Sequence, residues 1–125
     1  MITYKVTVDD YGTKRWYLNG KRHREDGPAV ERADGDKFWY LNGNLHREDG
    51  PAVERADGSK SWWINGKLHR EDGPAYERTD GTKHWYLNDR LLTEEDWKKK
   101  VNKVKELTVS EISKMLGYEV KIVKG

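Results

Sequence analysis

The stretch HREDGPAVERADG at His23–Gly35 recurs without a change at His46–Gly58. Around this pair the whole middle of the chain keeps a step of 23. Gly12, Gly35, Gly58 and Gly81 share it, as do Trp16, Trp39, Trp62 and Trp85, then Asn19, Asn42, Asn65 and Asn88. His23, His46 and His69 follow the same step, and so do Pro28, Pro51 and Pro74. A fixed period of this length marks a repeat architecture in which each unit buries its surface against its neighbours. The unit reads D-G-x-K-x-W-[YW]-[LI]-N-G-x-x-H-R-E-D-G-P-A-[VY]-E-R-x over residues 12–92.

Two segments of each unit have strand character: Ala29–Arg32 and Lys37–Leu41, with their equivalents. Asp34-Gly35 between them predicts a two-residue hairpin turn, since Gly accepts positive φ. Counting outward then sets Val30 opposite Trp39, Ala29 opposite Tyr40 and Glu31 opposite Phe38. Near-identity of the copies favours two strands per unit, because an odd number would reverse direction in each copy. N-G-x-x-H-R-E-D-G is then a structured loop, with these loops lining one sheet edge and the Asp-Gly turns the other. Alternation along the strands places Val30, Trp39, Leu41, Arg32 and Lys37 on one face, and Ala29, Tyr40, Glu31 and Phe38 on the other.

The expected fold is therefore mainly β, a single elongated antiparallel sheet of hairpin repeats. Residues 1–11 form an N-terminal capping strand, alternating Ile2, Tyr4, Val6 and Val8. Residues 93–125 form a helix-helix-strand cap. Thr93 followed by three acids predicts a helix start, and Thr108-Val-Ser-Glu111 has the form of a capping box for a second. Tyr118–Val123 alternates as a closing strand.

Composition narrows function. The chain has 125 residues, 37% of them charged, with six Trp, seven Tyr and one Phe, so aromatics supply most of the apolar area. No cysteine is present, which removes disulfides, thiolate metal sites and a cysteine nucleophile. Neither an apolar leader nor a membrane-length apolar run is visible, so a cytoplasmic protein is expected. Net charge is +2, and residues 1–92 hold 16 Lys/Arg against 16 Asp/Glu, which argues against strong non-specific binding of polyanions.

The spacing of aromatic, Asn-Gly and Asp-Gly elements resembles that of MORN and MORN-like repeats, units that are also β-hairpins stacked into an elongated sheet. The resemblance covers residues 12–92. Where MORN units carry a close Gly-x-Gly, this chain has His-Arg-Glu-Asp-Gly-Pro-Ala. The wording N-G-x-x-H-R-E-D-G-P-A is similar to that of repeat proteins common in bacteriophage genomes. The resemblance implies protein-protein contacts, sometimes anionic lipid, and a small accessory or counter-defence role in the host cytoplasm.

Three functions compete. The first is a scaffold that grips a partner protein through a sheet face. The second is a protein sequestering nucleotides or short nucleic acid, in which Trp39, Trp62 and Trp85 stack bases and Arg32, Arg55 and Arg78 hold phosphates. The third is a structural homo-oligomer joined through edge strands or an uncovered face. His46 and His69, in the HREDG loops, are candidate ligand contacts, although such loops also suit a purely structural brace. Catalysis needs one converging pocket, whereas the HREDG residues come in three equal copies. No enzyme, cofactor or metal site is expected.

Overall fold

A computed structural model describes residues 3–103 of the chain. The fold is mainly β, a large antiparallel sheet followed by one short C-terminal helix. The strands are β1 (Lys5–Val8), β2 (Lys14–Leu18), β3 (Lys21–Arg22), β4 (Val30–Glu31), β5 (Lys37–Phe38), β6 (Tyr40–Leu41) and β7 (Asn44–Leu45). They continue as β8 (Val53–Glu54), β9 (Lys60–Ser61), β10 (Trp63–Ile64), β11 (Lys67–Leu68), β12 (Tyr76–Glu77), β13 (Lys83–Leu87) and β14 (Arg90–Leu92).

These short pieces assemble into two kinds of strand per repeat. One is a through strand, residues 37–41 in the second unit. The other runs from Asn44 to Glu54 and is interrupted. Its first end, β7, pairs with β6, while its second end, β8, pairs with β5 and with β9 of the next unit. Trp39 marks the interruption: its carbonyl accepts from His46 N–H, and its own N–H donates to the Ala52 carbonyl. Arg47 N–H still donates to the Trp63 carbonyl of the next unit, and Glu48–Pro51 lies outside the ladder, extruded between His46 and Ala52, which both bond Trp39. The HREDG loops leave the sheet at mid-strand, and the edge expected for them is formed by the Asn-Gly turns instead. The two-strand count survives as one through strand and one interrupted strand, with Asn44–Leu45 inside the ladder and not in a loop.

The turns at the two edges differ. Asn42 and Gly43 both have positive φ, 51° and 83°, and close the two-residue turn between β6 and β7. At the other edge only Gly35 is positive, at 102°. Arg32 N–H donates to the Asp36 carbonyl and Gly35 N–H to the Arg32 carbonyl, which closes a three-residue loop, Ala33-Asp34-Gly35. The hairpin register is accordingly Val30 opposite Phe38 and Glu31 opposite Lys37. This corrects the expected pairing of Val30 with Trp39, Ala29 with Tyr40 and Glu31 with Phe38. Because side chains alternate with period two, one extra turn residue carries the whole 29–32 strand to the opposite face.

Two columns follow from that register. One reads Lys14, Glu31, Lys37, Glu54, Lys60, Glu77, Lys83 across successive strands, so unlike charges stand opposite one another at every step. Such cross-strand pairs contribute roughly 0.2–1 kcal/mol each. The other reads Arg15, Val30, Phe38, Val53, Ser61, Tyr76, His84. Val30, Val53 and Ser61 in it are buried, and the Trp63 indole N–H donates to Ser61 Oγ at 2.7 Å. Among the described residues no large side chain is fully enclosed, so the sheet is held by its ladders and thin aromatic packing more than by a deep core.

At the N-terminal end β1 pairs with β2, setting Val6 opposite Trp16. At the other end Thr93 Oγ1 accepts the Asp96 N–H and caps a helix, α1, that spans residues 94–103 of the described chain. Its Trp97 and Val101 are buried, and the Trp97 indole N–H donates to the Arg70 carbonyl at 2.8 Å. The expected second helix and closing strand lie outside the described residues. Among those described, no helix is long and apolar enough to cross a membrane.

Candidate functional site

Each HREDG loop is tied down by its arginine. The Arg47 guanidinium lies 4.0 Å from the centre of the Trp39 ring; Nε donates to Asp49 at 2.9 Å, and Nη1 donates to the Pro51 carbonyl at 3.1 Å and to Glu54 at 3.2 Å. Arg24 over Trp16 and Arg70 over Trp62 repeat the stack at 4.0 and 3.8 Å. Beside Asp26 the Arg24 guanidinium, through its hydrogen bond first and its charge second, holds the carboxyl below its ordinary range. The loop glycine has a spatial reason: a Cβ on Gly50 would stand 3.0 Å from Arg47 Cζ, and one on Gly73 would stand 2.8 Å from Arg70 Cζ. A side chain there would push the guanidinium off the indole.

The loop histidines face the next unit. His23 Nδ1 accepts the Asn42 N–H at 2.9 Å, His46 Nδ1 accepts that of Asn65 at 2.9 Å, and His69 Nδ1 accepts that of Asn88 at 3.1 Å. Since Nδ1 is the acceptor, the ring proton sits on Nε2, which points to Glu25, Glu48 and Glu71 at 3.5, 3.6 and 3.9 Å. Every histidine of the motif thus braces the turn of the following unit, Asn-Gly after His23 and His46 and Asn88-Asp89 after His69. Its fourth position is occupied by Leu92, where no further unit of the repeat follows.

Between successive loops the sheet forms open grooves. One, of about 710 Å³, has Trp39 and Leu41 as its floor, Arg24–Pro28 as one wall and His46–Asp49 as the other. The next, of about 630 Å³, repeats it on Trp62 and Ile64, between Arg47–Pro51 and His69–Asp72. A smaller one of about 390 Å³ lies over Trp16, between Tyr4 and Val6 of the first strand region and Arg24–Asp26. The rims are acidic: Glu48 is 84% exposed and Asp49 is 86% exposed.

The sequence pairs Trp39, Trp62 and Trp85 with Arg32, Arg55 and Arg78 in one stripe. The structure separates them. Trp39 lies on the face of Glu54 and the loops, as the shared contacts of Arg47 show. Arg32 and Arg55 lie on the other face, 5.3 and 5.8 Å from the centre of the Phe38 ring, and Arg55 also pairs with Asp36 at 3.4 Å. Arg78 follows them at the equivalent exposed position. Trp85 lies opposite Leu92, and Thr93 stands where an arginine would follow in a further HREDG motif. His46 and His69 do line the grooves. Sequence reasoning missed Arg24, Arg47 and Arg70 as the partners of the indoles, and Leu41 and Ile64 as groove floor. The Arg-x-Asp spacing beside Gly-Pro was the available signal.

Chemically the face offers flat indole surface, a short apolar floor and carboxylates, and its guanidinium groups are engaged with their own loops. Among the described residues no three His, Asp or Glu side chains are grouped to hold a metal ion. No protein-family model, curated protein or solved structure matches this chain.

Proposed function

We propose that the chain is a non-enzymatic repeat scaffold that binds a partner protein through its Trp face. One observation carries this reading. The same groove, with an indole floor and acidic rims, recurs at successive loops of one continuous sheet. Repetition of one modest site along a rigid surface suits a macromolecular ligand that spans several copies, because linked contacts multiply without any one being strong. The loops are braced by their own arginines and histidines, so little ordering opposes binding. The resemblance to MORN-like repeats of bacteriophage genomes supports an accessory or counter-defence setting for such a scaffold.

The nucleotide reading loses its stripe, since its indoles and its Arg32, Arg55 and Arg78 face opposite ways. Affinity capture from cell lysate with the full chain separates the two. A retained protein is expected to be lost from E48K/E71K and kept by R32S/R55S/R78S, while a nucleotide panel leaves the melting temperature unchanged. Loss on the arginine variant, or stabilisation by nucleotide, would refute the scaffold reading.

A further inference from the structure

Resting on that reading, we infer that the Trp face takes an extended basic segment of its partner, with lysine or arginine at every third residue in a polyproline-II conformation. Charge selects the sign of the ligand. Each loop contributes one arginine and two carboxylates, and that arginine is spent on its own Asp, the Pro carbonyl and the indole. Among the described residues, the exposed Glu25, Glu48 and Glu71 meet only the Nε2 side of a histidine, at 3.5 to 3.9 Å. The lysines of this face stand in the cross-strand column or, as Lys21 and Lys67, opposite Leu18 and Ile64, and none of those described lines a groove. The charged residues lining each of the two larger grooves are two arginines and four carboxylates. A long cationic side chain fits this setting: its stem lies on Trp39 and Leu41, and its head reaches a rim carboxylate.

The repeat selects the spacing. Two strands per unit at roughly 4.8 Å give grooves roughly 10 Å apart. A β-strand presents same-side residues about 6.6 or 13 Å apart, which misses that step. A polyproline-II chain returns to one side every third residue, after about 9.3 Å. An α-helix returns after seven residues, at about 10.5 Å. To reach the three grooves over Trp16, Trp39 and Trp62 it would need some fifteen residues, a length at which an isolated helix is marginal in water. Polyproline II needs only seven residues and is already a major conformer of unfolded chains.

The test uses the full chain and fluorescein-labelled peptides in fluorescence anisotropy. The spaced peptide is Lys-Pro-Pro-Lys-Pro-Pro-Lys, and the control has the same composition with its three lysines adjacent. The spaced peptide is expected to bind about tenfold tighter, and the combined E25Q/E48Q/E71Q variant to lose about tenfold. E48K alone, an exposed change checked by an unaltered melting curve, is expected to weaken binding in the same direction. Equal affinity for both peptides, tighter binding of a helical peptide with lysine at every seventh residue, or indifference to the glutamate variants overturns the inference. If the captured protein is still lost from E48K/E71K while no basic peptide binds, the basic segment is refuted and the scaffold stands. If neither binds, both fall.

Discussion

The two edges of the sheet are both turned by a Gly preceded by a short polar residue, yet they are different machines. At the Asn-Gly edge both turn residues take positive φ, and the Asn N–H is gripped by a histidine from the unit before. At the Asp-Gly edge the aspartate does not take positive φ. Its carboxylate instead accepts the N–H two residues on: Asp34 from Asp36, Asp57 from Ser59, Asp80 from Thr82. That local bond favours a turn in which the aspartate stays right-handed and only the glycine turns left. The loop then has three residues. At one edge a histidine of the unit before grips the turn; at the other the turn's own carboxylate shapes it, while Asp36 beside one turn accepts the Ala56 N–H of the next at 2.7 Å. The difference in turn length decides which side chains share a face.

The largest effect should come from forcing the strand out of the register that the three-residue loop sets. Inserting one alanine between Arg55 and Ala56, with the Ala-Asp-Gly loop kept, slips one strand by a residue against the next. Val53 would leave its buried site and Glu54 would take it. Burial of one valine is worth about 1.5–3 kcal/mol, and a charge without its partner adds to the cost. Chemical denaturation should show a loss of at least about 3 kcal/mol, and a midpoint close to that of the parent chain would show that the register is set elsewhere.

A smaller contrast separates the glycines. Gly58 has φ 95°, and a Cβ there would meet Thr79 Cγ2 at 3.0 Å. Gly66 has φ 80°, with Asn44 at the ordinary distance of 3.4 Å, and the same turn position in the last unit is already occupied by Asp89 at φ 67°. Gly58→Asp should therefore cost about 1–3 kcal/mol, and Gly66→Asp under about 1 kcal/mol. Equal shifts in the urea midpoint would mean that the edges share one turn geometry after all.

The smallest effect is the part of the pH dependence that belongs to the Asp-Gly edge, beside that of Asp26 in its loop. Hydrogen bonds to Ser59 hold the Asp57 carboxyl below its usual 3.8, and bonds to Thr82 do the same for Asp80. A depressed folded-state value adds stability above the unfolded value and loses it as pH falls through the folded one. Stability should thus decline below about pH 3.8 by a small increment, and D57S/D80S, whose hydroxyls keep a turn acceptor that does not titrate, should flatten that decline relative to the parent in acid-titrated urea melts. An unchanged acid profile in the double variant would remove these carboxylates from the Asp-Gly edge's account.

The period, the two strands per unit, the capping strand and the helix start at Thr93 were all legible in the residues, because each has a local cause: a repeated spacing, an alternation, an N-cap. The Asn-Gly turn position was legible for the same reason. The register was not. Asp34-Gly35 and Asn42-Gly43 look alike as dipeptides, and only the carboxylate bond to Asp36 N–H separates them. That single residue moved Arg32, Arg55 and Arg78 away from the indoles. The stacking of Arg47 on Trp39 was also hidden, since it depends on extruding a loop from mid-strand, and no propensity announces where a ladder will open.

The histidine contacts give the array a polarity that its near-identical copies conceal. Each unit supplies an imidazole forward and receives one from behind, so the first unit only gives and Leu92 closes the line. Such a one-way chain of fastenings lengthens by inserting whole copies at any interior joint without altering either end. Its number of units, and with it the length of the sheet, is therefore free to drift.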